Sequence, residues 1–224
     1  DAGLPLESID PFDATQVLDV EVTSNRSDCL SYLGMARELA ALLGRTLRPP
    51  AEPPVFEAGP AAGSLAQVEI ADASACSYYS ARVIENVKVG PSPAWLARRL
   101  ESIGLRPVNN IVDITNYVLM EAGQPMHAFD LDRLERKRIV VRRAAEGEKI
   151  VAIDGKTYDL KPTMLVIADA RRPVAIAGVM GGRETEVTSQ TARVLLESAR
   201  FDPVTIRAQA RALSLMSDAS FRFE

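Results

Sequence analysis

The chain has 224 residues, of which 47% are hydrophobic and 25% charged, a balance that excludes a disordered tail and suffices to bury a core. Aromatic residues are only 5%, so Leu, Val, Ile and Ala must fill that core, and a net charge of −4 argues against non-specific coating of nucleic acid. No apolar run approaches the roughly 18 residues a membrane span needs, and the acidic start is the opposite of a signal peptide's, so no membrane partner is expected.

Residues 1–25 carry six acids and no base. Within them 17–22 alternates and is β-branched, as a strand should be. Asn25-Arg26-Ser27-Asp28 then offers capping side chains, and apolar residues at 30, 33, 36, 39, 40 and 43 recur at helical spacing up to Gly44. A helix is predicted over 28–43, and residues 1–48 form an N-terminal α/β appendage. The Pro/Gly-rich stretch 49–64 is predicted to be a linker without regular structure. Cys29 and Cys76 are too few and too far apart for a disulfide framework, and with one histidine they make no zinc site. Two reduced cytosolic thiols and no metal are expected.

The second domain is predicted to run over 65–224. Strands are expected at 67–71 and 78–87, then a helix at 93–103 capped by Ser92 and ended by Gly104, and a helix at 110–122 capped by Asn110 and ended by Gly123. Short strands follow at 138–143, 149–153, 156–160, 164–168 and 174–177, with Asp154-Gly155 as a hairpin turn. A strand at 194–198 and a helix at 202–213, capped by Asp202 with Pro203 in its first turn, complete the pattern. This irregular order predicts an α+β fold with mixed and antiparallel sheets, not a doubly wound one.

Phosphate-loop, dinucleotide and nucleophile-elbow signatures are missing. On the 110–122 helix, Ile111, Ile114, Thr115, Val118 and Ala122 fall on one side, the expected core face, with Asn116 turned away. The loop 123–127 would return His127 toward that helix end. Asn116 can equally be a surface amide, and His127 a structural hydrogen-bonding group. Gly178, Gly181 and Gly182 cluster after a strand, where glycine serves a tight turn or a close approach. Glu197 interrupts an apolar strand, facing solvent or needing a partner. Residues 133–149 carry seven bases against three acids, a solvated strand face or a phosphate contact.

Several ordered blocks, 25–38, 106–130, 177–182, 196–199 and 217–220, are similar to the β subunit of bacterial phenylalanyl-tRNA synthetases. The resemblance spans essentially the whole chain and covers the end of that subunit's first domain and its B3/B4 editing module. It implies a cytoplasmic fragment of a larger ligase, cut after Glu224 and beginning beyond the family's inserted tRNA-binding domain.

The resemblance further implies hydrolysis of tyrosine mischarged onto tRNA(Phe), by a positioned water and without a covalent nucleophile. Glu197 matches the position that reads the tyrosine phenol. Thr115, Asn116 and His127 match the polar wall at the aminoacyl ester, His127 as the group that orients water. Gly181 matches the point of close backbone approach, and Ser217 and Ala219 the pocket floor, although Ser217 replaces a threonine and Phe221 a common histidine. Arg138 and Arg142 are the candidate tRNA contacts. No cofactor is expected for the fragment, while the intact heterotetramer, with its α subunit, would use ATP and Mg²⁺. A non-catalytic scaffold for tRNA and the α subunit, or a free-standing deacylase, are the alternative readings.

Overall fold

The computed structural model describes residues 3–51 and 57–224, so part of the expected linker, 52–56, lies outside it. Contacts divide the chain into two units: the chain up to Glu57 together with Pro91–Gln124, and Ala58–Gly90 together with Pro125–Glu224. This division differs from a single boundary near residue 64, because 91–124 returns to the first unit, where its second helix packs on the helix at 32–42.

In the first unit, β1 (Leu6–Phe12) and β2 (Thr15–Val20) form an antiparallel hairpin. β2 starts earlier than the alternation suggested, and β1, with a proline and three polar residues in seven, has no strand signature. A 3₁₀ turn at Ser27–Cys29 precedes α1 (Tyr32–Leu42), so the expected helix begins four residues late. Its cap is Ser31, whose hydroxyl accepts from Gly34 N at 3.0 Å, while Arg26 and Asp28 are committed to each other in an ion pair.

The second unit begins with α2 (Ala62–Leu65), a single turn inside the stretch expected to be irregular, where Ser64 Oγ donates to Ala61 O. Strands β3 (Gln67–Ile70) and β4 (Cys76–Ile84) follow. Back in the first unit, α3 (Ala94–Ser102) and α4 (Asn110–Ala122) end as expected at Gly104 and Gly123, both at φ +79°. α4 also starts at residue 110 as expected and α3 one residue late, but the caps of both differ from expectation. Ser92 does not cap α3 but donates to Asp113 Oδ2 at 2.5 Å, and Asn109, not Asn110, caps α4, accepting from Ile111 N and Val112 N.

The predicted core face of α4 is also corrected. Ile114 is 49% exposed, and the fully buried residues are Leu119 and Asp113. Asp113 goes inside because both carboxylate oxygens are satisfied, by the Ser92 hydroxyl and by Val108 N at 2.9 Å. A wheel drawn on hydrophobicity alone cannot see that pairing.

The rest of the second unit runs β5 (Met126–Asp130), β6 (Arg138–Arg143), β7 (Lys149–Val151), β8 (Thr157–Asp159), β9 (Leu165–Ala168), β10 (Pro173–Ile176), β11 (Met180–Gly181), β12 (Val194–Phe201), α5 (Pro203–Leu213) and α6 (Asp218–Phe223). Five strands form a mixed sheet in the order β11-β10-β9-β6-β3, with β3 parallel to β6 and the other pairs antiparallel. Three form an antiparallel sheet, β4-β12-β5, and β7 and β8 a hairpin with Gly155 at φ +82°. Phe129, Ile139, Val141, Leu165, Ile167, Leu195 and Phe201 share one apolar core, closed by Ile206 and Ala210 of α5. The molecule is an α+β protein.

Candidate functional site

The three-stranded sheet sets the site by alternation. On β12, Leu195, Glu197, Ala199 and Phe201 are all buried, while Leu196, Ser198 and Arg200 between them are not. Every second side chain therefore faces the core, and Glu197 takes one of those places. Antiparallel register places Glu197 opposite His127 of β5 and Ala81 of β4. Tyr79, two residues from Ala81, shares that inward face and packs against the core, and its hydroxyl donates to Glu197 Oε2 at 2.6 Å. Of the segment 123–127 read as a loop, the last two residues, Met126 and His127, open the strand β5.

Glu197 is 7% exposed with apolar neighbours along its strand, and burial raises its carboxyl pKa to about 7 despite the opposing hydrogen bond from Tyr79. Its Oε1 accepts no hydrogen bond among the described residues, yet is not sealed: the described side-chain polar atoms both enclosed and unpartnered are His127 Nε2 and Thr185 Oγ1. Burial, reinforced by the same carboxyl, pushes the Tyr79 phenol well above its ordinary value.

His127 is half-buried and meets Phe129 edge-to-face with ring centroids 4.4 Å apart. Burial lowers its pKa to about 4, so the ring is neutral at pH 7. No ion pair joins it to Glu197 among the described residues. Gly181 of β11 lies against this ring: a Cβ built there would fall 2.4 Å from His127 Cε1 and 2.9 Å from Nε2. Any side chain at 181 would force the imidazole to shift, because the ring occupies the space a Cβ would take. Ser217 caps α6 by accepting from Ser220 N at 3.1 Å, and its hydroxyl donates to Val179 O at 2.9 Å, tying α6 to the segment that carries Gly181. Ala219 lies half-buried on α6.

Thr115 and Asn116 stand on α4 of the first unit, so the site built here is that of the second unit alone. The Thr115 hydroxyl donates to Val112 O at 2.7 Å within its own helix, while the half-buried Asn116 amide makes no hydrogen bond among the described residues. The two candidate tRNA contacts are ion-paired: Arg138 with Glu69, and Arg142 with both oxygens of Glu148 at 2.6 and 2.9 Å. Arg143 likewise pairs with Asp72 at 2.7 Å. The basic run is thereby largely neutralised where it lies.

A cavity of about 390 Å³ is lined by Lys149, Arg171, Arg172, Gly182 and Thr185, and one of about 320 Å³ in the first unit by Tyr32, Arg99 and Tyr117; neither includes Glu197 or His127. Asp28, Cys29 and Glu38 come within metal-ligating distance of one another, but the Arg26 guanidinium sits among them, 3.0 Å from Asp28 Oδ2, 2.7 Å from Glu38 Oε2 and 3.1 Å from Cys29 Sγ. That cluster is a salt bridge and does not fit Mg²⁺, which requires near-octahedral oxygen ligands. Both cysteines are free and buried, and no described helix is long and apolar enough to cross a membrane. Sequence reasoning missed Tyr79, because the adjacent pair Tyr78 and Tyr79 leaves open which of them points inward.

Residues 75–224 match the B3/4 domain family. The chain is 56% identical over 208 residues to the phenylalanine–tRNA ligase β subunit of Moorella thermoacetica, an overlap of 93% of this chain and 26% of that protein. With the corresponding subunit of Anaeromyxobacter dehalogenans it is 52% identical over 223 residues, 99% of this chain and 28% of the other. The chain therefore spans about a quarter of the length of these curated relatives. An N-terminal fragment of the phenylalanyl-tRNA synthetase β subunit from Pyrococcus horikoshii aligns with 93% of this chain and 65% of its own at 14% identity and a TM-score of 0.49, a likeness too distant to carry an argument.

Proposed function

The chain belongs to the B3/4 domain family as part of a phenylalanine–tRNA ligase β subunit, and we propose that its second unit hydrolyses tyrosine mischarged onto tRNA(Phe). An apolar pocket built for phenylalanine rejects an isostere bearing one extra hydroxyl by only about 10²-fold, so a second site must remove the error. That site needs a buried group that reads a phenol. The observation that carries the proposal is Glu197, a carboxyl on an apolar sheet face with one oxygen held and the other unpaired. Tyrosine supplies the missing donor at Oε1, and phenylalanine leaves the oxygen bare, a difference that polar sites convert into roughly 10⁴-fold discrimination.

The aminoacyl ester is already activated. Water bonds to the carbonyl carbon and the bond to the terminal ribose oxygen breaks; one proton ends on that ribose hydroxyl and the other is released as the tyrosine carboxylate forms. The neutral His127, whose Nε2 is enclosed against Gly181, holds the water through Nδ1. The family pattern assigns Asn116 and Thr115 to the ester end, Gly181 to the close backbone approach, and Ser217 and Ala219 to the pocket floor, and the geometry adds that Gly181 seats His127. ATP, Mg²⁺ and the α subunit serve aminoacylation in the whole ligase, and no step of this hydrolysis runs through them.

Deacylation of Tyr-tRNA(Phe) and Phe-tRNA(Phe) by the ligase carrying this chain tests the reading. The wild type should prefer Tyr-tRNA(Phe), and the preference should grow as pH rises through 7, because the ionised carboxyl makes the stronger, charge-assisted bond. Glu197→Ala should lose it. A wild type that hydrolyses neither ester is a scaffold, and the proposal then fails.

A further inference from the structure

Glu197 has a neighbour that the family pattern does not assign. Tyr79 projects from β4, whose register with β12 sets Tyr79 opposite Ala199, so its ring runs along the sheet face and brings the hydroxyl to Glu197 Oε2 at 2.6 Å. The ring packs against the core cluster, and the other titratable groups on this face are Cys76 of the same strand and His127 of β5, with no cation among them. β11, which meets His127 through Gly181, brings no charge. Tyr79 is thus the sole hydrogen-bond donor to the carboxyl among the described residues.

We infer that Tyr79 is a positioning residue for tyrosine selection: its phenol holds Oε2 of Glu197 and leaves Oε1 as the one acceptor that a second phenol can reach. This rests on the editing reading of Glu197 given above. A carboxylate offers about four lone-pair sites, so it serves two phenols at once, and the internal phenol need not leave for the substrate to enter. Displacing Tyr79 would instead strip its ring from the core, which makes it a fixed part of the reader and not a placeholder. Its donation also favours the charged carboxylate over the neutral acid, which burial alone would favour. Without Tyr79 the carboxyl takes up a proton and turns freely, and the contrast between a substrate with a phenol and one without it shrinks.

Tyr79→Phe removes one oxygen and keeps the ring. In this chain, labelled with ¹³C at the glutamate carboxyls and assigned with Glu197→Gln, the titration midpoint of Glu197 should rise by about half a pH unit or more in Tyr79→Phe. Site-specific 3,5-difluorotyrosine at 79, a stronger donor of nearly the same shape, should lower it, and this arm decides the matter if Tyr79→Phe does not fold. In the ligase carrying the chain, Tyr79→Phe should reduce the preference for Tyr-tRNA(Phe) over Phe-tRNA(Phe) by roughly tenfold, with the pH dependence of that preference displaced upward as the midpoint is. A residue that merely fills the core would leave both pH readouts in place. An unmoved midpoint in both variants overturns the inference, as does an intact preference in Tyr79→Phe where Glu197→Ala has lost it. Should Glu197→Ala itself keep the preference, the editing reading fails and selection by Tyr79 fails with it, whereas the titration would still show whether Tyr79 holds the carboxyl.

Discussion

Glu197 and His127 face each other across two strands, and burial drives them in opposite directions: the carboxyl up to about 7, the imidazole down to about 4. Folded Glu197 keeps its proton up to about pH 7, whereas the unfolded chain releases it near 4.5, so the stability gained by the neutral acid is full below 4.5 and lost as pH rises through 7. The unfolded imidazole takes up a proton below 6.5 that the folded one refuses until about 4, so stability is also lost as pH falls across that window. Between about 4.5 and 6.5 the two slopes oppose each other. Glu197→Gln removes the first, and its stability relative to wild type should therefore rise from pH 4 to pH 8 by on the order of 3 kcal/mol in denaturant titrations. An equal difference at both pH values would mean that Glu197 is not buried as described. Gly181 offers a second test at this scale. Alanine there puts Cβ onto the His127 ring, so Gly181→Ala should abolish deacylation with no bulky side chain involved, and full activity would place the ring elsewhere. The polar identities of Glu197 and His127 were legible in the sequence; their apposition and the Tyr79 hydroxyl were not, because strand alternation specifies a face and never the strand opposite.

Among the elements, β6 shows how a run of charge misleads. Read alone, 133–149 is a basic surface, but Arg138, Arg142 and Arg143 each meet an acid, two of them far away in sequence at Glu69 and Asp72. Arg142, partly buried and bidentate to Glu148, works for the fold. Arg142→Met should cost about 1 kcal/mol of stability and leave the apparent KM for Tyr-tRNA(Phe) unchanged. Arg136 and Arg171 have no ion-pair partner among the described residues, and Arg171 borders the cavity shared with Lys149 and Arg172. Reversing both charges should raise that KM and flatten its salt dependence, since phosphate contacts weaken steeply with salt; unchanged kinetics at low salt would remove both from the tRNA path. Helix ends were legible wherever the signal was local. Asp202 caps α5 by accepting from Thr205 N at 2.8 Å with Pro203 in the first turn, as the sequence predicts. α4 begins at residue 110 as predicted, but the caps of α3 and α4 were each displaced by one residue: Ser92 is drawn off by Asp113, a partner further along the chain, and of two adjacent asparagines it is Asn109 whose side chain satisfies the first backbone amides.

At the scale of the molecule, the first unit is discontinuous, and α4 depends on α1 for its packing. Removing residues 1–57 should therefore expose the amides of 110–122 to fast hydrogen exchange while those of β6, β9 and β12 stay protected; continued protection of 110–122 would restore a single boundary near residue 64. The α+β class, the strands β3, β6 and β9, the hairpin turn at Gly155 and the helix α5 followed from the sequence alone, because each rests on periodicity, capping or turn chemistry within a few residues. Tertiary structure decided the return of 91–124 to the first unit, the strand β5 opening within the expected loop, and the meeting of Tyr79 with Glu197, 118 residues apart. Those depend on which inward faces fit together in one core, a choice made among side chains distant in sequence, and no local pattern records it.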